Sequence, residues 1–335
     1  NLNSDYGLPL TVFGFDEDIE AAVLEMGAGR SVHISELADI ARPDIGVVTN
    51  VGTSHLEAFG TRDILTAEKL GISKFFDVGN SIIVNSDCDK LSRKNVEKIV
   101  PAGTDVVTVG SEVNDNIIVY NIGDFGIDGV SCSLDVKLGL TEYDGTYKLV
   151  IPVIGAHNLG NAALAIAAGV KLGINPADGI RALADTRFSS GRLEVIKTDR
   201  FTIIDDSYNA SPESMKSGLK ILNSSKASRR VAILGDMYEL GDESEALHES
   251  VGTYAHDIGI DLLITIGSNA TAIARAAVAA KEAEGIAYDG GPEVIAYTDK
   301  DEAISEINDL LTEGDVILVK ASRGMKLEDV ISAIK

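Results

Sequence analysis

The feature that most constrains the fold is a regular alternation of apolar runs and amphipathic stretches over the second half of the chain. Strands that alternate with helices predict a parallel, doubly wound α/β sheet. Ligands of such sheets bind at the carboxyl ends of the strands, so a functional site is expected there. The predicted strands lie at 201–205, 231–235, 262–266, 294–298 and 316–320, and the helices between them at 212–222, 243–258, 269–284 and 301–312.

The first half is predicted to form a separate α/β domain. Short apolar runs at Ala21–Leu24, Ile45–Val48 and Ser81–Val84 indicate strands, and Ile64–Phe76 has the pattern of a helix. Residues 105–153 alternate apolar and polar side chains between Gly-Asp type turns, which predicts an antiparallel patch. We place the domain boundary near residue 190, which divides the chain into residues 1–189 and 190–335.

Composition narrows the class of protein. A length of 335 residues suffices for two domains with full cores. The formal net charge of −23 argues against a nucleic-acid or anionic-membrane surface, although it does not exclude a nucleotide ligand. The chain has no membrane-length apolar run, and its two cysteines lack metal-type spacing. These features predict a reduced, cytoplasmic protein without membrane insertion.

Residues 204–213 place several polar side chains directly after a predicted strand. Ser211 is expected to cap the following helix and Pro212 to be its first residue. An ordinary solvated turn is the alternative reading. If Asp206 instead binds a ligand, Asp206→Asn should lower kcat with a near-normal Tm. The polar residues of this turn are Asp205, Asp206, Tyr208 and Asn209.

Three residues of the first half are weaker candidates. Glu25 precedes a Gly-x-Gly turn that lacks the third glycine of a dinucleotide site. His55 lies in the loop after the Ile45–Val48 strand, and Lys69 lies in a predicted helix. Taken alone, they are better read as part of a tight turn, a loop histidine and a solvated lysine.

Asn158 and Asn161 open an Ala-rich helix predicted over Asn158–Leu172. Residues three apart share a helix face, so both amides should project together from the first turn. They either cap the helix or recognise a base.

In the second half, further polar residues follow predicted strands. Ser322 and Arg323 offer a hydroxyl and a fixed cation suited to a carboxylate or phosphate. Asp242 and Glu245 have capping-box spacing, which makes them structural. His248 follows on the same helix and is expected to be packed or on the surface rather than in a site.

Taken in order, these motifs resemble the Mur ligase family of peptidoglycan synthesis, in particular its dipeptide-adding branch. The resemblance covers essentially the whole chain. The motifs that carry it are Glu25-Met-Gly, Thr49–Glu57, Lys69, Gly155–Asn161, Gly191-Arg-Leu-Glu, Asp205–Pro212, Leu234–Gly241 and Val319–Met325.

The resemblance implies an ATP-dependent amide ligase that acts as a cytoplasmic monomer. ATP would phosphorylate the terminal carboxylate of a UDP-linked muramoyl tripeptide, and the amine of D-alanyl-D-alanine would attack the acyl phosphate. Two rivals stay open: another ligase of the superfamily, such as one extending folate with glutamate, and a non-catalytic Mur-like binding subunit. A dinucleotide oxidoreductase is more distant, because no Gly-x-Gly-x-x-Gly follows a strand.

The resemblance also implies roles for single residues. Glu25 and His55 would lie at Mg²⁺ sites, and Lys69 matches a lysine that the family carbamylates. Asn158 and Asn161 would contact adenine, while Arg192 and Asp206 would hold the phosphates and ribose of ATP. Tyr208, Asn209, Ser322 and Arg323 would line the dipeptide pocket.

The chain departs from the family in one respect. The phosphate loop Gly-x-x-Gly-Lys-[Ser/Thr] occurs nowhere in it. We therefore expect a fragment: the remainder of a central ATP-binding domain and a complete C-terminal Rossmann-like domain, without the domain that holds UDP. Such a fragment is predicted to be inactive alone, because phosphoryl transfer depends on positioning the phosphates.

Overall fold

The computed structural model describes residues 2–29, 33–52, 59–186, 191–284 and 291–335. Its contacts divide the chain into two compact units, here called unit 1 and unit 2. The predicted boundary near residue 190 stays a prediction, because residues 187–190 lie outside the described ranges. Unit 1 comprises Asn1–Ile122, Ser131–Val150 and His157–Ala184, and unit 2 comprises Gly123–Val130, Ile151–Ala156 and Asp185–Lys335.

Unit 1 is built on a sheet whose strands follow the order of the chain. The first three strands are parallel, and β1 and β2 begin at the residues predicted from sequence. Contrary to the predicted antiparallel patch over 105–153, β3 is parallel to both β2 and the start of β4. The strands are β1 Ile45–Val48, β2 Ser81–Asn85, β3 Asp105–Gly110, β4 Ile117–Asp124, β5 Val130–Val136 and β6 Gly145–Ile151.

Helices cover this sheet. Thr61 caps α3, its side chain accepting a hydrogen bond from the Ile64 N–H at 3.3 Å, so the helix begins earlier than predicted. The Ala-rich α5 packs against the parallel strands through buried residues such as Leu159 and Ala163. The helices are α1 Gly7–Phe13, α2 Ile34–Ala41, α3 Arg62–Leu70, α4 Arg93–Val96, α5 His157–Lys171 and α6 Pro176–Leu183.

The strand predicted at Ala21–Leu24 is wrong. This segment has no regular secondary structure, and Val23 is 100% exposed. Within the described ranges, β1 is the outermost strand of the sheet, and nothing pairs with Ala21–Leu24. A strand without hydrogen-bonded neighbours is unstable in water, so an apolar run alone did not suffice.

Unit 2 contains the predicted parallel sheet, with strand order β11-β10-β9-β12-β8-β7. The paired strands from β11 to β8 are parallel. The edge strand β7, which the sequence analysis missed, is antiparallel to β8. The doubly wound α/β class is therefore confirmed. The strands are β7 Glu194–Lys197, β8 Thr202–Asp206, β9 Arg230–Gly235, β10 Leu262–Ile266, β11 Glu293–Tyr297 and β12 Val316–Lys320.

Both faces of this sheet are covered by apolar cores. One core packs Met215, Val251 and Ile273 against the sheet, and the other packs Ile307 and Val330 against the opposite face. Central parallel strands that are buried on both faces are largely apolar, as β9, β10 and β12 are apart from Arg230, Thr265 and Lys320. The helices are α7 Pro212–Ser224, α8 Ser244–Asp257, α9 Thr271–Ala283, α10 Lys300–Leu310 and α11 Glu328–Ile334.

The two predicted helix starts in unit 2 have different outcomes. Ser211 caps α7 in a reciprocal box with Ser214, and Pro212 is the first helical residue, as predicted. The capping box of Asp242 and Glu245 is wrong. Gly241–Glu243 forms a 3-10 turn, so α8 starts at Ser244, one residue later than that box requires, and its N-cap Glu243 makes no side-chain cap.

Candidate functional site

The polar residues predicted at the strand ends of unit 2 gather at the carboxyl edge of its sheet. Asp206 ends β8 and Lys320 ends β12, and the pairing of these strands sets the two residues opposite each other. Lys320 Nζ donates to Asp206 Oδ2 at 2.5 Å and to the carbonyl oxygen of Asn209 at 2.8 Å. Sequence reasoning missed Lys320 as a candidate. The available signal was a charged residue ending an otherwise apolar strand.

Burial dominates the electrostatics of this pair. Desolvation raises the pKa of Asp206, and the neighbouring Lys320 ammonium opposes that shift. Desolvation also lowers the pKa of Lys320, against the pull of the Asp206 carboxylate. Each charge is therefore maintained largely by the other.

An aromatic ring at this edge lies close to two guanidinium groups. The Arg192 guanidinium carbon lies 4.1 Å from the centre of the Tyr208 ring, and that of Arg323 lies 5.8 Å from it. The Tyr208 N–H donates to the Gly191 carbonyl oxygen at 2.9 Å. Gly191 has φ of +75°, which favours glycine. The arrangement presents two cations beside the Tyr208 ring, as an anion-binding site requires.

Ser322 ties together the loops that follow β9 and β12. Its N–H donates to the Asp236 carbonyl oxygen at 2.9 Å, and its Oγ accepts from the Tyr238 N–H at 2.8 Å. Asp236 Oδ1 in turn accepts from the Ala270 N–H at 2.7 Å, before α9. Ser322 is buried, so it organises this edge as well as being a candidate ligand group.

His248 is fully buried and positions the same loop. Its Nε2 accepts from the Met237 N–H at 3.0 Å, and its Nδ1 lies 2.7 Å from the Ser244 carbonyl oxygen. These partners require the neutral imidazole with the proton on Nδ1. The expectation of a packed residue is confirmed.

In unit 1, the two asparagines of α5 share one face, as predicted. Asn161 Nδ2 donates to Asn158 Oδ1 at 3.1 Å. Asn158 is buried and also contacts His157 Nε2 at 3.2 Å, whereas Asn161 is exposed. Because α5 begins at His157, both lie inside the helix and neither is its N-cap. The adenine contact stays a prediction.

Lys69 is not the fully solvated helix lysine of the alternative reading. It is half-buried near the end of α3, and its Nζ donates to the Asn50 carbonyl oxygen at 2.8 Å, just after β1. Desolvation lowers the pKa of Lys69. Carbamylation stays a prediction.

Of the two predicted metal ligands, Glu25 and His55, the structure describes only Glu25. Glu25 is exposed, and its Oε1 accepts from Asn3 Nδ2 at 3.0 Å. His55 lies outside the described residues. Among the residues that the structure describes, no group of three or more His, Cys, Asp or Glu side chains could hold a metal ion.

Family models account for most of the chain. The model of the Mur ligase middle domain matches residues 1–169, and that of the Mur ligase glutamate ligase domain matches residues 191–323. The chain belongs to the Mur ligase family. The resemblance inferred from sequence is confirmed, as is the fold class.

The relatives of this Mur ligase chain include dipeptide-adding enzymes. The UDP-N-acetylmuramoyl-tripeptide–D-alanyl-D-alanine ligase of Bacillus subtilis (strain 168) is 34% identical over 334 residues, which cover 99% of this chain and 68% of the relative. The chain thus spans about two thirds of the length of the curated relatives that it matches.

Solved Mur ligases have the same fold. The MurF structure I from Acinetobacter baumannii matches with a TM-score of 0.86 at 24% identity, covering 100% of this chain and 69% of that one. MurF ligase from Thermotoga maritima, solved in complex with ADP, matches with a TM-score of 0.82 at 26% identity, covering 100% and 71%. Within the described ranges of this chain, every helix is too short or too polar to cross a lipid bilayer.

Proposed function

We propose that this Mur ligase chain serves in the ATP-dependent addition of D-alanyl-D-alanine to a UDP-N-acetylmuramoyl tripeptide. The observation that carries the proposal is the 34% identity to a ligase of that name over nearly the whole chain. In this reaction the γ-phosphoryl group passes to the tripeptide carboxylate. The amine of D-alanyl-D-alanine then forms the amide bond, and phosphate leaves together with ADP.

The carboxyl edge of unit 2 supplies fixed charges for this chemistry. Arg192, stacked on Tyr208, would hold phosphate oxygens, and Asp206 would accept hydrogen bonds from the ribose hydroxyls. Arg323 also faces the Tyr208 ring and pairs with Glu328 at 2.9 Å, so it is oriented before a carboxylate substrate arrives. Groups fixed in advance stabilise developing charge without reorganising during the reaction.

The remaining candidate residues would contact the dipeptide and the adenine. Tyr208 and Asn209 would contact the dipeptide from the turn after β8, while Ser322 would act mainly by holding Tyr238. In unit 1, Asn158 and Asn161 would bind the adenine edge, since each amide carries both a donor and an acceptor.

Lys69 is proposed to act as a carbamate. Its lowered pKa favours the neutral amine, which adds to CO₂ to give the carbamate anion and a proton. The product replaces a cation with a carboxylate-like group beside Asn50. Such an anion would orient the cation that accompanies the phosphates.

The residues of unit 1 fit Mg²⁺ held mainly through ATP. Mg²⁺ prefers oxygen ligands and is usually bound by one or two carboxylates together with substrate phosphates. Glu25 offers an exposed carboxylate, and carbamylated Lys69 would offer a second; His55 is the further candidate. Bound Mg²⁺ would neutralise charge on the phosphates during transfer.

The test is a ligation assay on the protein as its gene encodes it. ATP, UDP-N-acetylmuramoyl tripeptide and D-alanyl-D-alanine should yield the pentapeptide product and ADP in equal amounts, with little ADP when the tripeptide is omitted. Folate with glutamate, and single amino acids in place of the dipeptide, serve as comparison substrates. Preference for either of them, or no ATP-dependent product with any, would contradict the proposal.

The proposal includes the two-domain division at residues 189 and 190, a cytoplasmic location and a monomeric state. The family resemblance supports each of them. Residues 1–335 alone are expected to give no ATP-dependent ligation, because they lack a phosphate-loop sequence.

A further inference from the structure

Lys320 is a buried cation for which the proposed chemistry has no direct use. It is 2% exposed at the end of β12, between β9 and β8. Lysine is almost never fully buried unless it is paired, because removing an ammonium group from water is costly. A carboxylate, Asp206, is its charged partner.

Lys320 joins the two ends of the turn that carries Tyr208. Its Nζ binds the carboxylate of Asp206, where β8 ends, and the carbonyl oxygen of Asn209, two residues before the cap of α7. One ammonium group therefore closes the turn formed by residues 206–209. The side chain of Tyr208, on which Arg192 stacks, projects from this turn.

The turn is also linked to the segment that carries Arg192. The Tyr208 N–H donates to the Gly191 carbonyl oxygen at 2.9 Å. The backbone of Leu193, adjacent to Arg192, lowers the pKa of the Asp206 carboxylate. Lys320 thus fixes a turn that binds the main chain next to Arg192.

The charges around the pair act in both directions. The Lys320 ammonium favours the ionised form of Asp206, whereas the Asp205 carboxylate and burial favour the neutral form. Arg192 disfavours the charged form of Lys320. Without Lys320, burial and the Asp205 carboxylate would still favour neutral Asp206, and the main charge that opposes them would be absent.

We propose that Lys320 is a positioning residue of the nucleotide site: it fixes the turn of residues 206–209 and keeps Asp206 ionised, so that Asp206 and Arg192 are set for ATP before it binds. This inference rests on the proposed function. It predicts that the effect of Lys320 reaches catalysis through Asp206 and not through stability alone.

A second ion pair in unit 2, with a buried carboxylate and a partly exposed arginine, provides the matched control. Arg229 binds Asp315 in two contacts, Nε–Oδ1 at 3.0 Å and Nη2–Oδ2 at 2.7 Å, and Asp315 is buried. This pair lies at the amino ends of β9 and β12, the opposite edge of the same sheet. Breaking it should destabilise unit 2 without touching the carboxyl edge.

The experiment compares Lys320→Met with Arg229→Met in the protein as its gene encodes it. Tm, kcat and the KM for ATP are measured over a range of pH. Both variants should have a lowered Tm, because each leaves a buried carboxylate without its cation. Lys320→Met alone should lose about 10- to 100-fold in kcat/KM for ATP, the size typical of losing a group that orients a site residue. The acidic limb of the pH profile of kcat/KM for Lys320→Met should also move to higher pH, since the pKa of Asp206 rises further.

Lys320→Gln resolves the case in which Lys320→Met does not fold. Glutamine can still donate to Asp206 but carries no charge, so the acidic limb should move in the same direction. A folded variant of Lys320 with wild-type kcat/KM and an unmoved acidic limb overturns the inference, as does an equal kinetic loss in Arg229→Met. Failure of the proposed function would be seen earlier, as wild-type protein without ATP-dependent ligation.

Discussion

Lys69 in unit 1 and Lys320 in unit 2 are both lysines whose pKa is lowered by burial, but their partners differ. Among the described residues, Lys69 Nζ donates to the neutral carbonyl group of Asn50. Lys320 Nζ donates to a carbonyl group and also to the carboxylate of Asp206. A carboxylate stabilises the ammonium form, whereas a carbonyl oxygen accepts one hydrogen bond without supplying a full charge.

In the proposed function, this difference lets one residue type serve two chemical roles. Lys69 combines a lowered pKa with a neutral partner, so its amine is suited to react with CO₂. Lys320 is held as a cation and is suited to fixing an anion. Burial alone does not determine the role; the charge of the nearest acceptor does.

The largest effect is expected for Lys69→Ala, which removes the reactive amine. Ligation should fall below about a thousandth of wild type, because catalysis of phosphoryl transfer depends on positioned charge. The Tm should change little, since Lys69 is only half-buried. Short carboxylic acids added to the assay should restore part of the activity by replacing the carbamate.

Lys148→Ala, at an exposed lysine of the same unit, is the control and should retain wild-type turnover. Near-normal turnover in Lys69→Ala would show that ligation does not need a carbamate at Lys69, and the proposed difference in role between Lys69 and Lys320 would be wrong.

A smaller loss is expected for Asp206→Asn. It removes the charge that pairs with Lys320, and kcat should fall about 100-fold if Asp206 contacts ATP in the closed enzyme. The Tm should also fall, because Lys320 stays buried without a countercharge. Asp199→Asn, at an exposed acid of the same unit, should change neither quantity. Unchanged kcat and unchanged KM for ATP together would show that Asp206 has only a structural role in the turn after β8.

The smallest effect concerns the pH dependence of carbamylation. In ¹³C-labelled bicarbonate, NMR should detect one carbamate carbon, absent from Lys69→Arg and present in Lys320→Met. The neutral amine reacts, and the pKa of Lys69 is lowered, so the carbamate should form at lower pH than on free lysine. At fixed CO₂ concentration and well below saturation, the signal should decrease about a hundredfold per pH unit on the acidic side of that pKa, because converting the ammonium group to a carbamate releases two protons. A carbamate that survives in Lys69→Arg would assign it to another amine.

The Asp206 prediction also shows what the sequence could not provide. From sequence, replacement of Asp206 by asparagine was expected to leave the Tm nearly normal. Lys320 lies far away in the chain and becomes its partner only because β12 inserts beside β8. Pairing of strands that are distant in sequence leaves no local pattern.

Local signals were more reliable. The parallel strands of unit 2 were predicted because strands buried on both faces are largely apolar. Ser211 and Pro212 mark the start of α7 by their own chemistry. The strand predicted at Ala21–Leu24 is wrong because a strand also needs a hydrogen-bonded neighbour, which an apolar run does not reveal. The shared face of Asn158 and Asn161 followed from helix geometry alone. The partners of Lys69 and Lys320 required tertiary structure.

The place of β12 has a consequence for synthesis on the ribosome. This strand lies between β9 and β8 in the sheet, although it is made after all the other strands of unit 2. Until residues 316–320 have left the exit tunnel, β8 and β9 have no strand to separate and bond them. Until then, the position between β8 and β9 in the nascent sheet is empty. Exposed apolar strand edges of this kind are prone to aggregate. Premature termination before residue 316 should therefore yield a chain that chaperones retain, rather than a smaller folded domain.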